Sequence, residues 1–274
     1  MRSSESSVLG FALVVACLVA TPAAQAATTA TATIGTTSWT FTDLNLGDGI
    51  TPSISFTSPN SQSFGQLPGA STSLSQYMPG AYAVTSVSGS NSFGSLSVST
   101  GPTGGTASGT LSGSAVNGTQ LNTSVYAYPF IQSFTLSPNT MISFLVPYSL
   151  AASTTLGQVG NNYESGQAFA YFQLYTNSGG GSSSSFYAQR SLYAGSTYVP
   201  ATQTFTGQSL NDSGTVELIY ANRTAAPVTG SVYAVAWAYN SSTIAAVPES
   251  SALSLMVAGL AAVGFVARRR QRRA

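Results

Sequence analysis

Between residues 27 and 244, apolar positions recur at every second residue over short stretches, and turn-forming residues separate these stretches. Because successive side chains of a strand point to opposite faces of a sheet, this period predicts β-strands. No stretch of the region has the 3.6-residue apolar period of an amphipathic helix. We therefore predict an all-β fold, and specifically an antiparallel β-sandwich.

The last predicted strand has the strongest alternation. Its large side chains are Tyr233, Val235, Trp237 and Tyr239, and alanines occupy the positions between them. We expect the large side chains to fill the core and the alanines to lie beneath a closely packed neighbour. The alternative is that this row and Trp39 are exposed, in which case their rings would stack on sugar rings.

Charge is scarce throughout this region. Charged residues are 5% of the chain, and the region carries five acidic residues and two arginines, a net charge of −3. Such a balance provides no basic surface for nucleic acid. Residues 86–118 are rich in glycine and serine, which is typical either of surface hairpins or of a partly disordered insert. The alternating run of Thr29, Thr31 and Thr33 occurs once, so it does not predict the repeated array of an ice-binding surface.

The region also lacks the groups of common catalytic sites. It has no histidine, lysine or cysteine, which excludes Ser-His and Ser-Lys nucleophiles and the usual zinc sites. Glu164 and Glu217 remain as a candidate glycosidase pair, although a loop and an outward strand position explain them more simply. Asp212-Ser213-Gly214 matches half of an aspartic protease signature and is better interpreted as a turn. We predict that the protein is not an enzyme.

One loop has the composition of a small calcium site. Asp43, Asn45 and Asp48 lie in the stretch DLNLGDG. An EF-hand needs an acidic residue at its twelfth position, where this chain has Ile54. A turn between two strands is the simpler interpretation, and we predict no cofactor.

The start of the chain reads as a secretory signal peptide. Arg2 precedes the apolar run Val8–Ala20, which is too short to span a bilayer stably, and small residues follow at Ala24 and Ala26. We predict that residues 1–26 are a signal peptide and that the mature chain begins at Ala27.

A lipoprotein signal is the alternative interpretation of the same region. Val14–Cys17 resembles a lipobox, and Cys17 is the only cysteine of the chain. The apolar run continues beyond Cys17 and a good cleavage site follows it, which favours the ordinary signal peptide. Removal of the signal then leaves a mature chain with neither disulfide nor cysteine-based metal site.

The C-terminal residues 245–274 form a separate segment. Its apolar stretch 252–267 would be a helix about 24 Å long, shorter than the ~30 Å hydrocarbon core of a bilayer. Arginine is costly to move through lipid, so the cluster that follows is expected to stay cytoplasmic and hold the helix in the inner membrane. This cluster consists of Arg268, Arg269, Arg270, Arg272 and Arg273.

The order of these features resembles the PEP-CTERM sorting signal of Gram-negative bacteria. The motif is Val247, Pro248, Glu249 and Ser250, with serine where the family usually has a second proline. The resemblance implies Sec export and processing by an exosortase, a membrane-bound protease that cuts near the motif. The same tail also carries an ice-binding label, which describes the tail and not an activity.

Two further segments resemble parts of other PEP-CTERM ectodomains. They are Asp43–Phe56 and Phe134–Leu150. Their similarity implies a β-sandwich surface protein and brings no catalytic residues with it.

The predicted function follows from these features. We expect an exported, non-enzymatic protein of the cell surface or extracellular matrix, with a structural role in a biofilm or exopolysaccharide matrix. Two alternatives are a carbohydrate-binding module for exopolysaccharide and a secreted hydrolase that uses carboxylates. The expected partners are the exosortase, the Sec machinery and the inner membrane, with exopolysaccharide as a further candidate.

Overall fold

The computed structural model describes residues 27–80, 83–112, 120–155, 163–178, 182–195, 197–199, 201 and 204–243. These residues form fifteen β-strands and, within the described ranges, no helix. The all-β fold class is therefore confirmed. The strands are β1 Ala27–Ile34, β2 Ser38–Asp43, β3 Ile54–Gln66, β4 Ser73–Pro79, β5 Thr85–Asn91, β6 Gly94–Gly101, β7 Gly104–Ser112, β8 Gln120–Leu136, β9 Thr140–Thr154, β10 Tyr163–Ser178, β11 Ser182–Ala194, β12 Thr197–Val199, β13 Thr204–Thr206, β14 Ser209–Asn222 and β15 Val228–Thr243.

Two antiparallel sheets form the two layers of a sandwich. Sheet A has the strand order β14-β9-β1-β7-β6-β5, and β2 pairs with β9 beyond the end of β1. Sheet B has the order β11-β10-β15-β8-β3-β4, while β12 and β13 pair only with each other. The glycine- and serine-rich stretch forms β5, β6 and β7 of sheet A as far as Ser112.

The core lies between the inner faces of the two sheets and combines large side chains with small ones. Phe144 of sheet A packs against Phe172 of sheet B, with ring centroids 5.4 Å apart. Ala234, Ala236 and Ala238 of β15 are fully buried. Small residues on one layer let the backbones approach, so that large residues nearby can fill the remaining space.

This arrangement corrects the predicted orientation of the last strand. The alanine face of β15 lies in the core, whereas Tyr233, Trp237 and Tyr239 are half-exposed on the outer face of sheet B. Alternation identifies two faces but not which one meets the other sheet. The opposite layer decides this, because it already supplies the bulky core residues along β9.

Proline residues mark the irregular points of the strands. Pro129 lies in a bulge of β8 where the register with β15 shifts, and Pro59 follows Ser58 in a bulge of β3. Ser58 has a positive φ of 53°. Because proline has no N–H to donate to a neighbouring strand, bulges are the places where a sheet accommodates it.

Hydrogen bonds between two distant segments close one end of sheet A. The Leu44 N–H donates to the Asn139 carbonyl at 2.8 Å, and the Ser137 N–H donates to the Ser53 carbonyl at 3.0 Å. The Asn139 side-chain amide donates to Asp48 Oδ2 at 2.7 Å. These bonds join the stretch around Leu44–Ser53 to the turn between β8 and β9.

The predicted terminal segments lie outside the described residues. They are the signal peptide 1–26 with its cleavage site at Ala24, Ala26 and Ala27, and the sorting signal 245–274 with its motif, helix and arginine cluster. Among the residues that the structure describes, none belongs to a helix with the length and apolar character needed to cross a membrane.

Candidate functional site

A cleft of about 400 Å³ opens where sheet A stops covering sheet B. Strand β7 pairs with β1 only as far as Ile34, and beyond that point β2 continues along β9. The inner face of sheet B is therefore left partly uncovered beside β2. Trp39 of β2 and Phe56 of β3 line this cleft, together with Phe130 and Gln132 of β8.

Trp39 forms the aromatic wall of the cleft and is 37% exposed. Phe56 contacts it edge-on, with ring centroids 5.0 Å apart and planes inclined by 64°. Phe144 lies at 6.4 Å and is inclined by 58°. Neither neighbour stacks in parallel on the indole, and more than a third of the side chain stays exposed.

Gln132 supplies a polar group inside this mostly apolar cleft. It points inward from β8 and is only 4% exposed. Within the described ranges of the chain, its side chain makes no hydrogen bond. Its amide atoms are not among the described buried atoms without a partner, so the amide opens to the cleft, where such groups usually bond to water or a ligand. No sequence pattern marks Gln132, because only the pairing of β8 places it in the cleft.

A second aromatic group lies on the outer face of sheet B. Phe169, Trp237, Tyr126 and Phe64 occupy directly opposed positions on four neighbouring strands. Phe169 and Tyr126 stack on the two sides of Trp237, with centroid distances of 4.5 and 5.4 Å and interplanar angles of 17° and 5°. Both faces of the Trp237 ring are therefore covered, and the row presents ring edges to the solvent.

Polar partners flank this aromatic row. The Trp237 indole N–H donates to Ser124 Oγ at 3.2 Å, and the Tyr239 hydroxyl donates to Asn122 Oδ1 at 3.0 Å. The structure thus brings Tyr233, Trp237 and Tyr239 together on one face, as the exposed alternative required. It places Trp39 elsewhere, in the cleft on the inner side of the sandwich.

Tyr171 and Tyr233 share one acceptor on the same face. Both hydroxyls donate to Gln173 Oε1, that of Tyr171 at 2.9 Å. Burial raises the pKa of Tyr171 to about 12, with further contributions from Tyr233 and Tyr187. Burial, and to a lesser degree Tyr126, also raises the pKa of Tyr128.

The two candidate catalytic carboxylates do not lie together. Glu164 is on β10, buried on the inner face of sheet B, which corrects its assignment to a loop. Glu217 occupies an outward position of sheet A and accepts a hydrogen bond from Ser143 at 2.6 Å. Glu164 faces the gap between the sheets and Glu217 faces out of sheet A, so the backbone of sheet A lies between them and they do not flank a common substrate as a glycosidase pair does.

Asp212, Ser213 and Gly214 form part of strand β14 rather than a turn, which is a further correction. They pair with Leu150, Ser149 and Tyr148 of β9. The Tyr148 hydroxyl donates to Asp212 Oδ2 at 3.0 Å. This local pairing leaves the protease-like signature without a role of its own.

The candidate calcium loop uses its oxygens to hold its own backbone. Asp43 Oδ1 accepts the Asn45 N–H at 2.8 Å, and Asp48 Oδ1 accepts the Ile50 N–H at 2.8 Å. The hydrogen bond from Ile50, followed by that from Asn139, lowers the pKa of Asp48 below 3.8. In the described part of the chain, no group of three or more acidic, histidine or cysteine side chains is placed to hold a metal.

The outer face of sheet A carries an array of hydroxyl groups that the sequence did not reveal. Cross-strand pairing aligns serines and threonines of six strands in three rows, and sixteen of the eighteen positions are Ser or Thr. Some of these hydroxyls pair across strands, as Thr29 and Ser153 do at 2.7 Å. Read from β14 to β5, the rows are Ser209, Ser153, Thr29, Thr110, Ser95, Ser90; Asn211, Ala151, Thr31, Ser108, Ser97, Ser88; and Ser213, Ser149, Thr33, Thr106, Ser99, Ser86.

Comparison of the chain with protein-family models, with curated proteins and with solved structures found no match.

Proposed function

We propose that the protein is an exported, non-catalytic component of the cell surface or extracellular matrix of a Gram-negative bacterium. Its role there is structural, within a biofilm or exopolysaccharide matrix. The signal peptide predicted at 1–26 and the sorting signal predicted at 245–274 support export by the Sec machinery and processing by an exosortase at the inner membrane.

The observation that carries this proposal is the chemistry of the two outer faces. The three rows of sheet A consist of hydroxyl groups apart from one amide and one alanine. The aromatic row of sheet B is accompanied by neutral amides and hydroxyls. Such surfaces make many weak hydrogen bonds to a hydrated neutral polymer, and they suit a protein embedded in a matrix better than one that performs catalysis.

Cell fractionation and intact-mass measurement of the exported protein test the proposal. We expect a mature chain that starts at Ala27, has been cut near Val247–Ser250 and is found in the surface or matrix fraction. We also expect deletion of the gene to alter matrix or aggregation, and the pure protein to turn over neither glycan nor peptide. A full-length cytosolic protein, or a robust turnover number, contradicts the proposal.

A carbohydrate-binding module is the second candidate. It is favoured by the position of Tyr233, Trp237 and Tyr239 outside the core and by the open cleft at Trp39. Co-sedimentation with the host's own exopolysaccharide provides the test, and no binding at high protein concentration contradicts it. The third alternative, a carboxylate-based hydrolase, gains no support from the separate positions of Glu164 and Glu217.

A further inference from the structure

We propose that the cleft beside Trp39 binds a single sugar ring of an uncharged glycan, with Gln132 as its hydrogen-bonding group. The inference rests on the second candidate function, a carbohydrate-binding module, and does not depend on export. It goes further than that candidate because it assigns the site, the polar contact and the charge of the ligand.

The dimensions of the cleft fit a ligand of this size. Its volume of about 400 Å³ lies within the ~300–1,000 Å³ range of small-molecule sites. Three of its walls are formed by strand irregularities: the interval 35–37 between β1 and β2, and the bulges at Pro59 and Pro129. Since these features are fixed by the pairing of both sheets, the cleft is formed before any ligand arrives.

Trp39 is better placed than Trp237 to stack on a sugar ring. A sugar ring stacks its C–H face on an aromatic ring and needs one open face of that ring. Phe169 and Tyr126 cover both faces of Trp237. Trp39 is more than one-third exposed, and its contact with Phe56 is edge-on. Of the two tryptophans of the chain, Trp39 is therefore the one placed for stacking.

Gln132 is the independent indication of a ligand. Its amide can donate two hydrogen bonds and accept two, yet within the described residues it has none, although the residue is almost fully buried. Neighbouring hydroxyls of a sugar present donors and acceptors at the spacing of one amide group. A sugar bound on Trp39 would satisfy Gln132 and bury its own apolar face in the same step.

The charge of the cleft limits the class of sugar. The cleft is lined by glycines, threonines, prolines, aromatic residues and Gln132, and none of these is ionisable. A carboxylate, sulfate or phosphate held there would lose its hydration without gaining a counter-charge, which is strongly unfavourable. Neutral hexoses are therefore expected to bind, and uronic acids are expected to be excluded.

Trp39 itself can report the binding. In a full-length Trp237→Phe variant, the aromatic row keeps a ring at its centre and Trp39 is the only tryptophan left. We would titrate its fluorescence with methyl glycosides of glucose, galactose, mannose and N-acetylglucosamine, and with glucuronic acid as the anionic probe. The expected result is a saturable change with at least one neutral glycoside and none with glucuronic acid.

Substitution of Gln132 tests the polar contact. In the Trp237→Phe background, Gln132→Met keeps the size of the side chain and removes the amide, so we expect binding to weaken about tenfold or more. Ser133→Ala, at the adjacent outward position of β8, is the matched control and should leave affinity unchanged. Thermal melts of each variant confirm that the fold is retained.

The outcomes distinguish the inference that the cleft is the binding site from the candidate function, carbohydrate binding, on which it rests. If exopolysaccharide co-sediments with the protein but Trp39→Phe and Gln132→Met bind as the parent does, the cleft is not the site and the inference is wrong, while the carbohydrate-binding function stands. If no glycoside and no polysaccharide binds, both are wrong. Binding of glucuronic acid as tight as that of the neutral sugars also overturns the proposed selectivity.

Discussion

Asn139 shows how a single residue holds separate parts of the chain together. Its backbone adopts the left-handed conformation, with φ of 48°. Its carbonyl accepts the Leu44 N–H, its N–H donates to the Thr224 carbonyl at 3.2 Å, and its side chain donates to Asp48. Asparagine is suited to this position because it tolerates positive φ better than other residues with a Cβ, apart from aspartate.

Two substitutions at Asn139 separate its conformation from its side-chain bond. Asn139→Gly keeps the backbone accessible and loses one hydrogen bond, so the free energy of unfolding should fall by about 1 kcal/mol. Asn139→Ala adds the strain of positive φ and should lose about 2–3 kcal/mol in total. Denaturant unfolding measures both values. Equal losses in the two variants would mean that the conformation contributes nothing.

Tyr171 is expected to control part of the stability at alkaline pH. Its folded pKa of about 12 lies above the ordinary value of 10.0, so the folded state holds the proton more tightly than the unfolded state does. The stabilisation is complete below pH 10 and is lost as the pH rises toward 12. In an absorbance titration of phenolate against pH, Tyr171→Phe should remove the tyrosine ionisation that occurs at the highest pH. If the variant removes an ordinary component near pH 10, the assignment is wrong.

Strand β15 shows which element-level features the sequence contained and which it did not. Alternation predicted the strand and divided its residues correctly into two faces. It did not identify the core face, because that choice depends on what sheet A presents across the gap. Bulky residues such as Phe144 and Ile142 occupy the inner face of β9, so the alanine face of β15 completes the core without overfilling it.

Overpacking of that face tests the corrected orientation. Ala236→Leu would insert three carbon atoms between the sheets where the residue is 0% exposed, and a loss of about 1–3 kcal/mol of unfolding free energy is expected. Thr229→Leu, at an exposed outward position of the same strand, is the control and should change stability by less than about 0.5 kcal/mol. Chemical denaturation distinguishes the two. Similar losses would indicate that the inner face of β15 is not the alanine face.

The cleft at Trp39 is a feature that could not be predicted from the sequence. Trp39 was recognisable as a rare, large aromatic residue, but its neighbours Phe56, Phe130 and Gln132 come from strands far along the chain. They meet only because β2 takes the place of β1 along β9 and β7 does not extend beside it. Such nonlocal pairing leaves no periodic trace in one sequence, so the cleft had to be found in the structure.

At the scale of the whole molecule, the two faces of the sandwich have different chemistry. Sheet A presents aligned hydroxyls and sheet B presents aromatic edges with amides. The sequence suggested only the single run at Thr29, Thr31 and Thr33, since the other rows come from strands separated by up to about 180 residues. Successive strands of a sheet rotate by about 20–25°, so this array curves across six strands. A twisted array of this kind fits a flexible polymer chain better than the flat surface of a crystal.

The scarcity of charge leads to a prediction for the molecule as a whole. The chain has no histidine, and between residues 27 and 244 it has no lysine or cysteine. Few groups therefore change protonation between about pH 6 and pH 9, and stability should be nearly constant across that range.

Neutral contacts are also little screened by salt, so any binding to matrix polysaccharide should persist from about 0.05 M to 1 M NaCl. Melting temperatures against pH and co-sedimentation against salt measure the two effects on the purified protein. Binding that disappears at high salt would show that the few charges, such as Arg190 and Arg223, govern the interaction in place of the hydroxyl rows and the aromatic row.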